Sequence, residues 1–245
     1  MTIEKTDLII QARVGSTRLP GKTLLDLAGE TLLGRILERV KRCKLINDII
    51  LAIPDSEENL PLKLIGIKFN VKVFQGSEND LVDRYYKAAK SFNTKYICRL
   101  PADNPTPEPS EIDKLIQFHK ENNTNGFSTN ICNVFNSGYP DGIGIEIFNI
   151  ELLENIYHSQ LNSFKREHVH LNFFDYKTEN AVDEKWCPIK TIKCPELFRR
   201  PEIVLDVNTY DQYLFMKKLY AYLYPLNSKF TILDTLNWYD NIYEK

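Results

Sequence analysis

Residues 11–22 read QARVGSTRLPGK, so Arg13, Arg18 and Lys22 share one short segment with Gly15, Gly21 and a proline. Such a segment suits an anion. Arginine offers a fixed fork of donors to paired oxygens, and lysine a mobile point charge. Glycine lets the chain turn with positive φ and brings backbone N–H groups close to a ligand. The spacing is not that of a GxxxxGK[ST] loop, whose lysine opens a helix. Here GKTLLDLAGE is expected to run on extended until a helix begins at Thr31. Read from its residues alone, the segment is either an anion-binding loop or a surface loop with solvated cations.

The elements around it decide where such a loop would stand. DLIIQA reads as a strand, and TLLGRILERVKRC as a helix with Leu32, Leu33, Ile36, Leu37 and Val40 on one face. Strand DIILAI, a helix near Ser56 to Ile65, strand VKVF, a helix from Asp80 to Ser91, strand KYICRL and a helix from Pro107 to Lys120 follow. Strands that alternate with helices pair in parallel through right-handed crossovers, and ligands sit beyond the carboxyl ends of such strands. The loops after Ile10, Ile53, Phe74 and Leu100 should therefore share one rim. In the second half GYPDGIGIEIF reads as a turn and strand, NIELLENIYHS as a helix and SFKREHVHLNFF as a basic helix. IVLDVNT reads as a strand, YDQYLFMKKLYAYLY as a helix, and Asp234 to Tyr243 as a terminal helix. No linker divides the chain. Residues 1–245 read as a single domain, 1–125 one half and 126–245 an extension of the same sheet with the C-terminal helices.

Composition narrows the function classes. The chain has 245 residues, 31 basic and 33 acidic, with a formal charge of −2. That balance argues against nucleic acid as a partner, which needs a basic excess. No apolar run is long enough to insert in a membrane, and the N-terminus lacks the charged and apolar regions of a signal peptide. The five cysteines are dispersed and without a CxxC pair, as expected of reduced thiols in a cytoplasmic protein rather than a zinc site. The tyrosine-rich tail is a candidate surface for a homodimer.

The stretch IIQARVGSTRLPGKTLLDLAGETLLGRILERV resembles the signature of the cytidylyltransferases that activate acidic sugars. It is most similar to the branch named for spore coat polysaccharide biosynthesis protein F, whose pattern is close to QARxGSTRLPGKxL. The 3-deoxy-manno-octulosonate cytidylyltransferases carry a related PARxxSTRLPGKxL. The likeness continues in order through VFQGSENDLVDRYYKAAK, CRLPADNPTPEP, YPDGIGIEIF, REHV and VLDVNT, covering most of the chain. It implies the nucleotidyltransferase fold shared with many glycosyltransferases (glycosyltransferase-A-like, Rossmann-like). This is a three-layer α/β sandwich on a mostly parallel mixed sheet. It also implies a reaction in which CTP and a small anionic acceptor, a sugar acid or phosphorylated sugar or polyol, give a cytidylylated product and pyrophosphate. In that reading Gln11, Ala12, Arg13, Gly15, Ser16, Arg18 and Lys22 wrap the nucleotide, with Arg13 and Lys22 as the catalytic cations.

A triphosphate calls for a divalent counterion, and Mg²⁺ takes few protein oxygens beside phosphate and water. Asp103, just past a strand and between Pro101 and Pro105, is the first candidate ligand. Alternation along a strand sends Asp206 and Asn208 to one side. The family pattern there resembles VDTPED, which puts Asn208 where the metal-binding aspartate stands. Asp206 is then a ligand, a helix cap or a residue that orients Asn208. Gly76 lies on the expected rim. Arg84 either faces the nucleotide or pairs with Asp80 one helical turn away, and Arg99 either reaches the nucleotide or forms a buried ion pair. Asp141, Glu146, Arg166 and His168 are the candidate acceptor contacts, although Gly144 stands where relatives often carry an acid. A glycosyltransferase that uses a nucleotide sugar, or a nucleotide-binding subunit that has lost its chemistry, are the other readings.

Overall fold

The computed structural model describes residues 4–243. Strand β1 (Thr6–Gln11) precedes the cationic loop, and a small hairpin of β2 (Asp26–Leu27) and β3 (Glu30–Thr31) follows it. The first half continues as α1 (Leu32–Val40), β4 (Asp48–Pro54), α2 (Leu60–Lys68), β5 (Lys72–Gly76), α3 (Leu81–Ser91), β6 (Tyr96–Pro101) and α4 (Pro109–Asn122). The second comprises β7 (Phe127–Thr129), β8 (Glu146–Asn149), α5 (Ile150–His158), α6 (Ser163–Glu167), β9 (Phe174–Asp175), β10 (Asn180–Ala181) and β11 (Ile189–Lys190). It ends in α7 (Tyr210–Leu226) and α8 (Ile232–Trp238).

Seven strands form one sheet in the order β11-β7-β8-β6-β1-β4-β5. Only β8 runs antiparallel to its neighbours. The expected three layers follow from the period of two along buried strands. Leu8 and Ile10 enter a core shared with α1, α4, α7 and α8, whereas Ile9 enters the opposite core with α3 and α5. Both cores are sealed, with Leu8, Ile9 and Ile10 fully buried. Each such side chain contributes about 1.5–3 kcal/mol through burial. The free ends of β1, β5 and β6 therefore sit on rigid supports.

Three segments differ from the sequence reading. After Gly21 (φ 66°) the chain does not stay extended. It makes one 3-10 turn at Lys22–Leu24 and then the β2–β3 hairpin. The basic segment breaks at His168 (φ −121°, ψ 85°) into α6 and a 3-10 turn. There the Asn172 amide donates to the carbonyls of Lys165, His168 and Val169, which a continuous helix would have used. IVLDVNT forms no strand beyond a single bridge between Val204 and Asp141. Its N–H groups turn to the site instead: Leu205 donates to the Asp141 carbonyl and Val207 to that of Asp103.

Helix α7 fastens the site from the other side. Thr209 caps it with Gln212 in a reciprocal capping box. The Tyr213 hydroxyl donates to the Asp26 carbonyl at 3.0 Å, and that of Tyr220 to the Pro105 carbonyl at 2.5 Å. Tyr220 is buried. Tyr220→Phe leaves the Pro105 carbonyl without this donor and is expected to cost about 1–3 kcal/mol in urea unfolding. Tyr222→Phe, on an exposed ring of the same helix, should unfold like the wild type.

Candidate active site

The loops after β1, β5 and β6 surround a cavity of 190 Å³ lined by Gln11 to Arg13, Ser16 to Arg18, Lys22, Arg84 and Asp103, among others. The loop after β4 supports it without lining it: the Asn59 amide oxygen accepts the Val14 N–H at 2.9 Å. Gly15 does not use positive φ, which falls to Gly21 alone in this loop. The N–H groups of Arg13, Gly15, Thr17 and Arg18 donate to no protein atom among the described residues, so the loop presents donors as well as cations.

Lys22 is the hub. Its ammonium donates to Asp103 Oδ2 at 2.9 Å, the Val207 carbonyl at 2.9 Å and Asn208 Oδ1 at 3.1 Å. Arg18 also donates to Asn208 Oδ1, at 2.6 Å. The Asn208 amide nitrogen donates in turn to Asp206, and Gln212 bonds both Asp206 and the Asn208 N–H. Thr209 caps α7, so Asp206 does not; its carboxylate accepts from the Asn208 amide.

Asp103 and Asn208 thus offer two oxygens to one cation, the hard donor set that suits Mg²⁺. Among the described residues no three His, Cys, Asp or Glu side chains form a metal site by themselves. Further ligands would have to be phosphate oxygens and water. Asp141 stands close enough to feel Asp206 and Asp103. Burial, then those two carboxylates, push its carboxyl up to about 7. Asp206 is raised by burial and by Asp103, against the opposing pull of Lys22 and Arg18.

Arg13 donates to Glu167 Oε1 at 3.2 Å across the mouth, tying α6 to the first loop. Arg84 does not pair with Asp80, which caps α3 through the Asp83 N–H and pairs with Arg166 at 3.3 Å. Arg99 and Glu146 form a buried ion pair at 2.6 Å with each other. Neither lines the cavity, although Arg99 holds the Gln11 side chain at 3.1 Å. Arg166 donates to the Tyr157 carbonyl, and His168 packs its ring against Phe164, so neither lines the cavity. Gly76 packs under Arg84 rather than lining the mouth; a Cβ there would lie 3.3 Å from Arg84 Cγ. At Gly144 a Cβ would stand 2.1 Å from the Asn130 carbonyl oxygen, so no acidic side chain fits this backbone.

Sequence reasoning missed Glu78, Glu167 and Gln212. The last carries a readable signal, the T-x-x-Q capping box at 209–212. Glu78 stands in the loop after Phe74, which the strand order already sets on the rim, whereas Glu167 carries no signal, because only folding brings it to the mouth.

A model of the family described as cytidylyltransferase matches residues 8–222. Spore coat polysaccharide biosynthesis protein SpsF of Bacillus subtilis is 34% identical over 217 residues, 86% of this chain and 85% of that protein. A cytidylyltransferase structure from Leptospira borgpetersenii serovar Hardjo-bovis superposes with a TM-score of 0.84 at 31% identity, covering 98% of this chain and 95% of that one. CMP:2-keto-3-deoxy-manno-octonic acid synthetase complexed with CTP shares the fold, with a TM-score of 0.62 at 17% identity over 89% of this chain and 98% of its own.

The acidic group gives a pH test on the metal-free protein. Unfolded, Asp141 loses its proton near the ordinary 3.8; folded, it keeps it to about 7. Stability is therefore lost as pH rises through that window. Asp141→Asn should raise the melting temperature in EDTA at about pH 8 and much less at about pH 4. An equal gain at both ends would place no charge penalty on Asp141.

Proposed function

Because the chain belongs to the cytidylyltransferase family, we propose that its cavity takes CTP and passes CMP to a small anionic acceptor, a sugar acid or phosphorylated sugar or polyol. An acceptor oxygen attacks the α-phosphorus, the bond from that phosphorus to the bridging oxygen breaks, and pyrophosphate leaves with the electron pair. The carrying observation is the convergence of Lys22, Arg18 and Arg13 on one cavity, with Lys22 bonded to Asp103 and Asn208.

The cations do what phosphoryl-type transfer asks of a protein: they position the chain of phosphates and stabilise charge on the transferring and leaving groups. Arg13 exchanges Glu167 for phosphate oxygens, and the free N–H groups of the loop add donors that carry no counter-charge. Asp103 and Asn208 are the residues that would hold Mg²⁺, with Asp206 fixing the Asn208 amide. Bound there, the cation would neutralise phosphate charge.

The acceptor contacts fall to groups near Asp141 rather than to Arg166 and His168, which are engaged elsewhere. The name of the B. subtilis relative supports a place in surface polysaccharide assembly.

Pyrophosphate release from CTP, measured with Mg²⁺ and a panel of sugar acids and sugar phosphates, tests this reading. Asp103→Ala and Lys22→Ala should each lower turnover by about 100-fold or more, as loss of an aligned charge does. Melting temperatures should fall far less, since both side chains lie partly exposed at the mouth. Turnover near the wild-type rate in either variant would remove that residue from the site.

A further inference from the structure

Helix α2 breaks the pattern of the other helices that cover the sheet. The exposed positions of α3, α4 and α5 are polar: Lys87 and Lys90, Lys114 and Gln117, Glu151 and Asn155. Helix α2 buries Leu62, Ile65 and Gly66 as its neighbours bury their inner rows. Its outer row, however, is Leu60, Leu64 and Ile67, exposed by 51%, 58% and 61%. Spacings of four and three residues keep these side chains on one stripe. The helix cannot roll to hide them, because a Cβ on Gly66 would come within 2.5 Å of Val73 in β5. A single exposed leucine is ordinary, whereas a stripe in place of a polar face marks a contact surface.

The charges at the two ends of the stripe define what covers it. One turn before Leu60 stands Glu57, exposed and without a paired cation among the described residues. Just past Ile67 stands Lys68, which reaches Glu30 at 2.5 Å yet stays 63% exposed. Carboxylates at Glu57 and Glu58 oppose an anionic lipid surface. They suit the opposite end of the same helix. A twofold axis near Leu64 sets Leu60 against the partner's Ile67 and Glu57 against the partner's Lys68. Parallel pairing would instead set like charge against like, so charge selects the antiparallel arrangement.

We propose that the outer stripe of α2 joins two copies of this chain, paired antiparallel about a twofold axis near Leu64. Three aliphatic side chains cover less than the about 800 Å² per partner of a stable interface, so the dimer is weak and reversible. Lys63, half-buried beside Leu64, comes near its own copy and weakens the pair further. The tyrosine-rich tail is the lesser candidate, since Tyr243 packs its ring on Phe215 and Trp238 of its own chain.

Sedimentation equilibrium of the full chain from about 1 µM to about 1 mM spans the range of a weak dimer. The average mass should climb with concentration from 28.6 kDa toward twice that value. Leu64→Lys and Ile67→Lys should each hold the monomer mass throughout and melt like the dilute wild type, because both side chains are exposed. Glu57→Lys and Lys68→Glu should each weaken association about tenfold, and the double variant should regain most of it, since the pair is only reversed. A wild type that stays at the monomer mass would overturn the proposal. So would a mass curve unchanged in both Leu64→Lys and Ile67→Lys, which would put the dimer on another face. A mass beyond twice the monomer would overturn the twofold, and no recovery in the double variant would overturn the antiparallel pairing.

Discussion

The Lys22 ammonium joins three segments that are far apart in sequence: the loop after β1, Asp103 after β6, and Val207 and Asn208 before α7. A lysine in this position is under more constraint than a surface cation. Its side chain is 12% exposed and that of Asp103 21%, so their attraction is only partly screened. The backbone is built to the same point, since the Val207 N–H donates to the Asp103 carbonyl. Without this convergence the first loop and the start of α7 would share, among the described residues, no polar contact at the cavity beyond the bond from Arg18 to Asn208.

Charge at the mouth is arranged in pairs that a ligand can take over. Arg13 rests on Glu167 and Arg18 on Asn208, each across an exposed gap where the pair adds little stability. Such pairs exchange readily for phosphate, to which arginine binds through two parallel bonds. The carboxylates of Asp206 and Asp103 add to burial in raising the proton affinity of Asp141, as that of Asp103 does for Asp206, and a cation delivered among them relieves that repulsion. The site without ligand is thus strained in charge rather than in backbone.

Much of this was legible in the sequence because local periodicity and loop chemistry carry it. The alternating apolar runs marked the parallel half of the sheet, and the cation spacing of residues 11–22 marked the cationic loop that lines the cavity. The second half was harder. Strands β7 and β11 span three and two residues and leave too little pattern to read. IVLDVNT has the composition of a strand, yet its backbone donors serve Asp103 and Asp141. Arg99 could be read as a nucleotide contact or as half of a buried ion pair, and Glu146 as an acceptor contact; strand pairing sets them opposite each other in β6 and β8, where each satisfies the other. Tertiary pairing of this kind leaves no trace in local spacing.

A crystal structure of the protein with CTP and Mg²⁺ bears most directly on the Lys22 hub. The triphosphate should lie in the cavity with Lys22 and Arg13 on its oxygens, and Asp103 and Asn208 should hold the metal. Nucleotide density outside the cavity, or Lys22 still bonded to Asp103 with no phosphate in reach, would contradict the assignment.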